Sequence, residues 1–221
     1  MKNFYIIFIL IGFNLSTQVH AQSAIDARIE HESWNSGING KTSALLYGIG
    51  GSTVINSRWS LSGGFVVGDH TFSDTDNANA SRQDADAVVA YQIMPRIRVY
   101  GGYRLIRIKY ENDIDNTRSF TDLTHGLGVG VAGYHRLMPK LFAFGRVGVS
   151  ALYSSVDYSN NSDNGAGFGS GFEAGLIYQV LARTNVGLSF KQQGTVINYD
   201  NNSGKWNHNY LRIGMSISHT F

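Results

Sequence analysis

His70, Asp84 and Asp86 are the residues of this 221-residue chain whose types and spacing come closest to a catalytic set. A histidine oriented by one carboxylate can activate water, and a second carboxylate can share the proton transfer. In the strand register developed below, His70 faces Asp86 across a loop centred near Ala78, with Asp84 one step higher, all pointing inward near an outer rim. A histidine bonded to Asp86 in a polar core uses the same residues, and structural ion networks often have this composition. No catalytic, cofactor-binding or metal-binding residue is therefore assigned. The carboxylates at alternate positions in "SDTDNAN" and "ENDIDN" lack the glycine and the distant glutamate of a calcium loop. The chain has no cysteine, which excludes disulfides and thiolate metal sites. It also has no phosphate-cradling glycine loop with its lysine.

The elements that must position these residues alternate in polarity. In "YLRIGMSISHTF" Leu211, Ile213, Met215, Ile217 and Phe221 share one parity, and Arg212, Gly214, Ser216 and Ser218 share the other. Successive strand residues face opposite sides, so this strand has one apolar and one polar face. In "GFGSGFEAGLIYQV" Phe168, Phe172, Leu176 and Val180 oppose Gly167, Gly169, Gly171, Glu173 and Gly175. A barrel in water would bury the apolar set. Here the inner set is small and polar, as lipid outside the barrel demands.

Residues 1–21 read as a secretory signal peptide: Lys2, an apolar run from Phe4 to Phe13, and small or polar residues ending at Ala21. The apolar run is too short for a membrane-spanning helix, which needs about 20 residues. Residues 22–221 then form one domain. Without Lys2 the 18 basic residues fall to 17 against 16 acidic ones, leaving no electrostatic case for nucleic acid.

"YQIMPRI" at 91–97 and "YHRLMPKL" at 134–141 share a Tyr, a Met-Pro pair, a basic residue and an aliphatic. Pro95 and Pro139 sit where a reversal needs no amide donor. Similar short breaks fall near Ser57 and Arg183, and the intervening breaks are long, Asn/Asp/Ser/Gly-rich loops. Short turns on one side and long polar loops on the other describe an all-β, antiparallel, up-and-down transmembrane barrel. Ten strands are predicted, over 23–34, 42–55, 59–72, 84–94, 97–110, 120–137, 141–156, 167–180, 185–197 and 208–221; eight remain if one short break is not a turn. Trp59, Tyr91, Tyr134 and Tyr178 fall near the short turns, and Trp34, Tyr110, Tyr153, Tyr158, Tyr199 and Trp206 near the loops, as two aromatic girdles would.

Hairpin symmetry pairs inward charges: Glu173 with Lys191, Arg104 with Asp86, Lys109 with Asp122 and, across the closure, Arg212 with Glu30. Arg107 is out of phase with Arg104, which predicts a bulge near Leu105 and Ile106. A lumen this narrow is filled by side chains, and the ladder reads as a polar core.

Over 22–221 the chain resembles the small outer-membrane β-barrel proteins of Gram-negative bacteria, the broad group of OmpA-like, OmpX-like and opacity-type barrels. The alternating last strand ending in Phe221 is similar to the signal such barrels present to the barrel assembly machinery, with His219 departing from the usual apolar residue. The resemblance implies a monomer held in outer-membrane lipid and lipopolysaccharide, without cofactors, with extracellular partners meeting the loops. It implies a non-enzymatic role in envelope integrity, adhesion or surface interaction. A narrow pore for small solutes is one alternative. The other is a rim enzyme: surface proteases of the omptin family also have ten strands and Asp and His groups at the rim, which here would be His70, Asp84 and Asp86. The omptin family's long upper barrel is not read in this chain. "DLTHGLG" around His125 lacks the serine two residues on that outer-membrane phospholipases or lipid A deacylases would need.

Overall fold

The alternation folds into one continuous wall. The computed structural model describes residues 22–36, 41–72, 78–112, 119–158, 161–200 and 204–221. The segment read as a signal peptide, and the alternate carboxylates Asp74, Asp76, Asp113 and Asp115, lie outside the described residues. The strands are β1 (Ser23–Ser36), β2 (Lys41–Val54), β3 (Trp59–Phe72), β4 (Ala78–Met94), β5 (Ile97–Asn112), β6 (Phe120–Met138), β7 (Leu141–Tyr158), β8 (Ser162–Leu181), β9 (Thr184–Tyr199) and β10 (Lys205–Thr220). Each pairs antiparallel with its neighbours, and β1 closes on β10 to complete the barrel. Closure removes the free edges that would otherwise recruit other chains.

At the Ser57 turn, the Asn56 side chain accepts from the Arg58 amide at 2.9 Å and the Trp59 amide at 3.0 Å, an Asx arrangement that needs no long loop. At the other three short turns the register slips once, between Gln92 and Met94, Arg136 and Met138, and Gln179 and Leu181. The bulge expected near Leu105 and Ile106 is absent: β5 pairs without a break through both residues. Arg104 faces the lumen and Arg107 faces out because the outer wall turns polar at that height, so no phase change is required.

The strands run 14 to 20 residues, well beyond the roughly 10 that cross a membrane. A 20-residue strand is about 66 Å long and, tilted about 40°, stands about 50 Å tall against an apolar band of about 25 Å. The excess lies at the loop end, where β4, β8 and β10 begin at Ala78, Ser162 and Lys205 inside segments read as loops from sequence. The barrel thus has the tall upper wall that the sequence reading denied it.

Along most strands the apolar side changes face. On β10, Leu211, Ile213, Met215 and Ile217 are exposed outside, with Gly214 and Ser216 inside. Nearer the loops Asn207 and Asn209 are outside, and Trp206 and Tyr210 are buried inside. On β5, Val99 and Tyr103 are exposed outside, then Ile106, Ile108 and Tyr110 are buried inside beneath outward Arg107, Lys109 and Glu111. The change of face marks where the surroundings change from lipid to water. Above that level the barrel obeys the inward rule of soluble proteins.

This inversion corrects the outer girdle. Trp34, Tyr110, Tyr199 and Trp206 are core residues, not membrane anchors; only Tyr153 of the expected set stands 46 % exposed on the wall. Trp34, Phe72, Ile106, Ile108, Tyr110 and Tyr210 form one core cluster, and Leu152, Val156, Ile197, Tyr199 and Trp206 another, with Phe120 packed against both. Near the short turns, Trp59 and Tyr91 pack ring on ring at 4.8 Å, and Tyr178 is exposed outside. Tyr134 lies on the inner parity and donates to the Pro95 carbonyl at 2.8 Å.

One seam differs from the rest. β2 and β3 pair from Val54–Ser60 up to Leu46–Gly68 and no further, whereas β1 and β2 pair up to Asn35–Lys41 and β3 and β4 up to Phe72–Ala78. Above Gly68 the Thr42 hydroxyl, donating to the Thr71 carbonyl at 2.9 Å, spans the parting. Gly68 lies hard against Leu46, leaving no space for a Cβ where the strands begin to diverge.

Candidate functional site

The charged residues of the lumen gather where the apolar side changes face. Asp84 is their centre. It receives Nε and Nη2 of Arg82 at 2.9 and 3.0 Å, Nη2 of Arg104 at 2.9 Å and Nη2 of Arg212 at 2.7 Å. Glu32 accepts Nη1 of Arg82 at 3.1 Å and Nε of Arg212, and Glu30 accepts Nη1 of Arg212 at 3.1 Å. Three carboxylates thus meet three guanidiniums in a forked, bidentate lattice. Glu32, Arg82 and Arg212 are buried, and the Arg82 guanidinium lies 3.9 Å over the Tyr210 ring. Such a lattice offsets the desolvation of its charges only because almost every polar atom has a partner.

His70 belongs to this lattice and not to a cleft. Its Nε2 lies 3.1 Å from Oε1 of Glu32, and its Nδ1 has no hydrogen-bond partner among the described residues. Trp34 packs edge-on against its ring at 5.3 Å. The side chain is fully enclosed. Its strand partner is Ala80, not Asp86, because the β3–β4 hairpin is centred three residues earlier than the sequence indicated. Asp86 pairs with Gly64 and Arg104 and lies below the lattice, so the expected trio is split: His70 and Asp84 share the lattice, and Asp86 faces the space beneath it.

The predicted charge ladder is half formed as drawn. Arg104 is opposite Asp86 and Glu173 opposite Lys191, and Arg212 reaches Glu30. Arg104, however, turns up to Asp84, and Glu173 pairs with Arg146 on its other flank, Nε to Oε2 at 2.7 Å. Lys109 does not meet Asp122; it points outward to Glu111, while Ile108 stands opposite Asp122. Asp122 is instead held by hydroxyls, Ser154 at 2.5 Å and Thr124 at 3.0 Å, and the Ser154 hydroxyl also meets that of Tyr199 at 2.9 Å. This buried hydroxyl chain was missed because Ser154 and Tyr199 reach Asp122 only once β6, β7 and β9 curve around the lumen.

Beneath the lattice is a cavity of about 160 Å³, walled by Gly102, Gly126, Gly128, Gly148 and Gly171 and reached by Asp86, Arg104, Arg146, Glu173 and Lys191. Among the described residues no cluster of His, Asp and Glu has the geometry of a metal site.

A family model described as YfaZ precursor matches residues 5–135, which is 131 of the 221 residues. The chain belongs to the YfaZ precursor family. No curated protein matches it. Among solved structures, this YfaZ-family barrel is similar to the outer membrane protease OmpT from Escherichia coli, with a TM-score of 0.59 and 11 % identity over 91 % of this chain and 96 % of that one. It is also similar to the beta domain of the Bordetella autotransporter BrkA, with a TM-score of 0.50 and 13 % identity over 90 % of this chain and 99 % of that one. At these identities the likeness is one of fold: a closed barrel of the outer membrane.

Proposed function

We propose that this YfaZ-family barrel is a closed, non-enzymatic outer-membrane scaffold whose tall outer rim and polar loops make contacts at the cell surface. The observation that carries the reading is the occlusion of the upper lumen. The Asp84 lattice crosses it, and the two aromatic clusters fill the space above, with Trp34, Phe72 and Ile197 all at most 2 % exposed. A solute crossing the barrel would have to break charge pairs and unpack aromatic rings. His70 and Asp84, 0 % and 5 % exposed, offer no face to a substrate at the rim. The fold likeness to a protease does not supply one. Closure of β1 on β10 favours a monomer, and the exposed belt of Ile49, Leu127, Phe168 and Met215 suits outer-membrane lipid.

The test is refolded protein in planar bilayers and with fluorogenic peptide and lipid ester substrates. No steady conductance and no hydrolysis are expected. Stepwise conductance of the wild type would replace this reading with a narrow pore. Hydrolysis abolished by His70→Ala would replace it with a rim enzyme.

A further inference from the structure

The short-turn end of the barrel repeats one chemical pattern four times. The turns are residues 55–58, 95–96, 139–140 and 182–183, and each closes on a basic residue directly before the next strand: Arg58, Arg96, Lys140 and Arg183. Each also opens on or from an apolar residue, Ile55, Met94, Met138 or Leu181. All eight residues are exposed. The 16 Asp and Glu residues of the chain include none in these turns. The turns occupy every second seam of the ten-strand ring, with the β1–β10 closure at the remaining one, so the cations are spread around the whole rim.

Among the described residues none of the four is in an ion pair. Arg58 donates from Nη1 to the Tyr91 hydroxyl at 2.9 Å, and Nη1 of Arg96 meets Nδ1 of His135 at 3.1 Å, contacts that supply no negative charge. At the loop end, by contrast, exposed Lys109 is matched by Glu111. A ring of like charges attracts anions, and the apolar residue in each turn decides which kind. A soluble acidic polymer gains nothing from an exposed Ile, Met or Leu beside each cation. A phospholipid leaflet solvates both, the apolar side chain in the acyl boundary and the cation at the phosphate. The pattern is continuous with the lipid belt, because Trp59 and Tyr178 stand exposed on the outer wall at the same end, where aromatic rings mark the headgroup level. Short turns of outer-membrane barrels face the periplasm, which makes this the periplasmic leaflet.

We propose that the four short turns form a binding ring for anionic phospholipid, drawing headgroups of the phosphatidylglycerol type from the periplasmic leaflet to the barrel. The lipid phosphates meet Arg58, Arg96, Lys140 and Arg183, while Ile55, Met94, Met138 and Leu181 enter the acyl boundary. This ring goes beyond the scaffold role and does not depend on it, since a pore or a rim enzyme would keep the same turns.

Trp59 supplies the readout: it is exposed next to Arg58 in the chain, whereas Trp34 and Trp206 are enclosed in the upper core. The full refolded barrel is placed in mixed phosphatidylcholine and phosphatidylglycerol vesicles with brominated acyl chains on one lipid or the other, and quenching of Trp59 fluorescence gives the relative occupancy, with Trp59→Phe as the blank. Phosphatidylglycerol is expected at Trp59 at about fivefold its bulk share, the worth of one basic residue at an anionic surface, and the enrichment should fall in high salt. Joint replacement of Arg58, Arg96, Lys140 and Arg183 by Gln should abolish it, with heat-modifiable mobility confirming the fold, and Arg58→Lys should keep it. Equal quenching by the two brominated lipids in the wild type, or unchanged enrichment in the Gln variant, would overturn the proposal. Displacement of the enrichment by a soluble acidic cell-wall glycopeptide, present on both sides of the bilayer, would do the same and reassign the ring to the cell wall.

Discussion

Glu173 accepts Nε of Arg146 at 2.7 Å while Lys191 occupies the position directly opposite it on the other neighbouring strand. The carboxylate therefore has two cationic flanks and serves one. Arg146 offers a planar fork that grips the oxygen through Nε and Nη2, and the compact ammonium of Lys191 is left to the cavity. Lys191→Met should consequently leave stability within about 1 kcal/mol of the wild type in urea unfolding from lipid vesicles. Arg146→Met should cost more, yet no more than about 1 to 2 kcal/mol, because its side chain is 40 % exposed to lumen water. A larger loss from Lys191→Met than from Arg146→Met would contradict this division of roles.

The Asp84 lattice should respond more sharply. Asp84→Ala leaves Arg82, Arg104 and Arg212 facing one another without their common acceptor, and the expected loss is about 3 to 5 kcal/mol, read as a drop in the heat-modifiable folded band and in urea midpoint. Joint replacement of Glu32 and Arg82 by Gln and Met should be milder than either single change, since it removes both signs together. Equal or additive losses would show that the two residues are not coupled.

Glycines of the barrel wall, Gly126 and Gly167 on its inner face and Gly101 on its outer face, differ in what they permit. A Cβ at Gly126 would strike the backbone carbonyl of Ala151 and one at Gly167 that of Val196, whereas at Gly101 the nearest atom is 3.8 Å away. Gly126→Ala and Gly167→Ala should lower folding yield, and Gly101→Ala should fold as the wild type does. Equal yields in all three would mean that the wall gives way at these points.

The parted β2–β3 seam should be visible in hydrogen exchange. Amides of β2 above Leu46 and of β3 above Gly68 that face the parting lack ladder partners, unlike those of β1 and β10 around Ser33 and Leu211. Residue-resolved exchange should be faster at the first set. Matching protection along both seams would show that β2 and β3 zip closed in solution.

Much of this barrel is local and was legible in the order of residues. Period-2 alternation, Asn/Asp/Ser/Gly-rich loops and the two Met-Pro turns are enough for ten antiparallel strands, for the lipid-facing parity of β8 and β10, and for the pairings of Glu173 with Lys191 and Arg104 with Asp86, since each depends on a single turn. The sequence alone did not reveal where the solvent outside the wall changes. Trp34, Tyr110 and Trp206 carry the same alternation whether they meet lipid or core, and only the height of the closed wall decides between them. Nor does a hairpin rule say which partner a charge selects. Arg212 and Glu32 are 180 residues apart and meet because β10 closes on β1, and His70 is shut away because Trp34 and Glu32 of β1 reach across β2 to it inside the lumen. Alternation is fixed by backbone geometry one residue at a time, but the lattice and the cavity below it exist only when ten strands share one lumen, because Arg82 must reach Glu32, and Arg212 both Glu32 and Asp84, from strands that no single turn brings together.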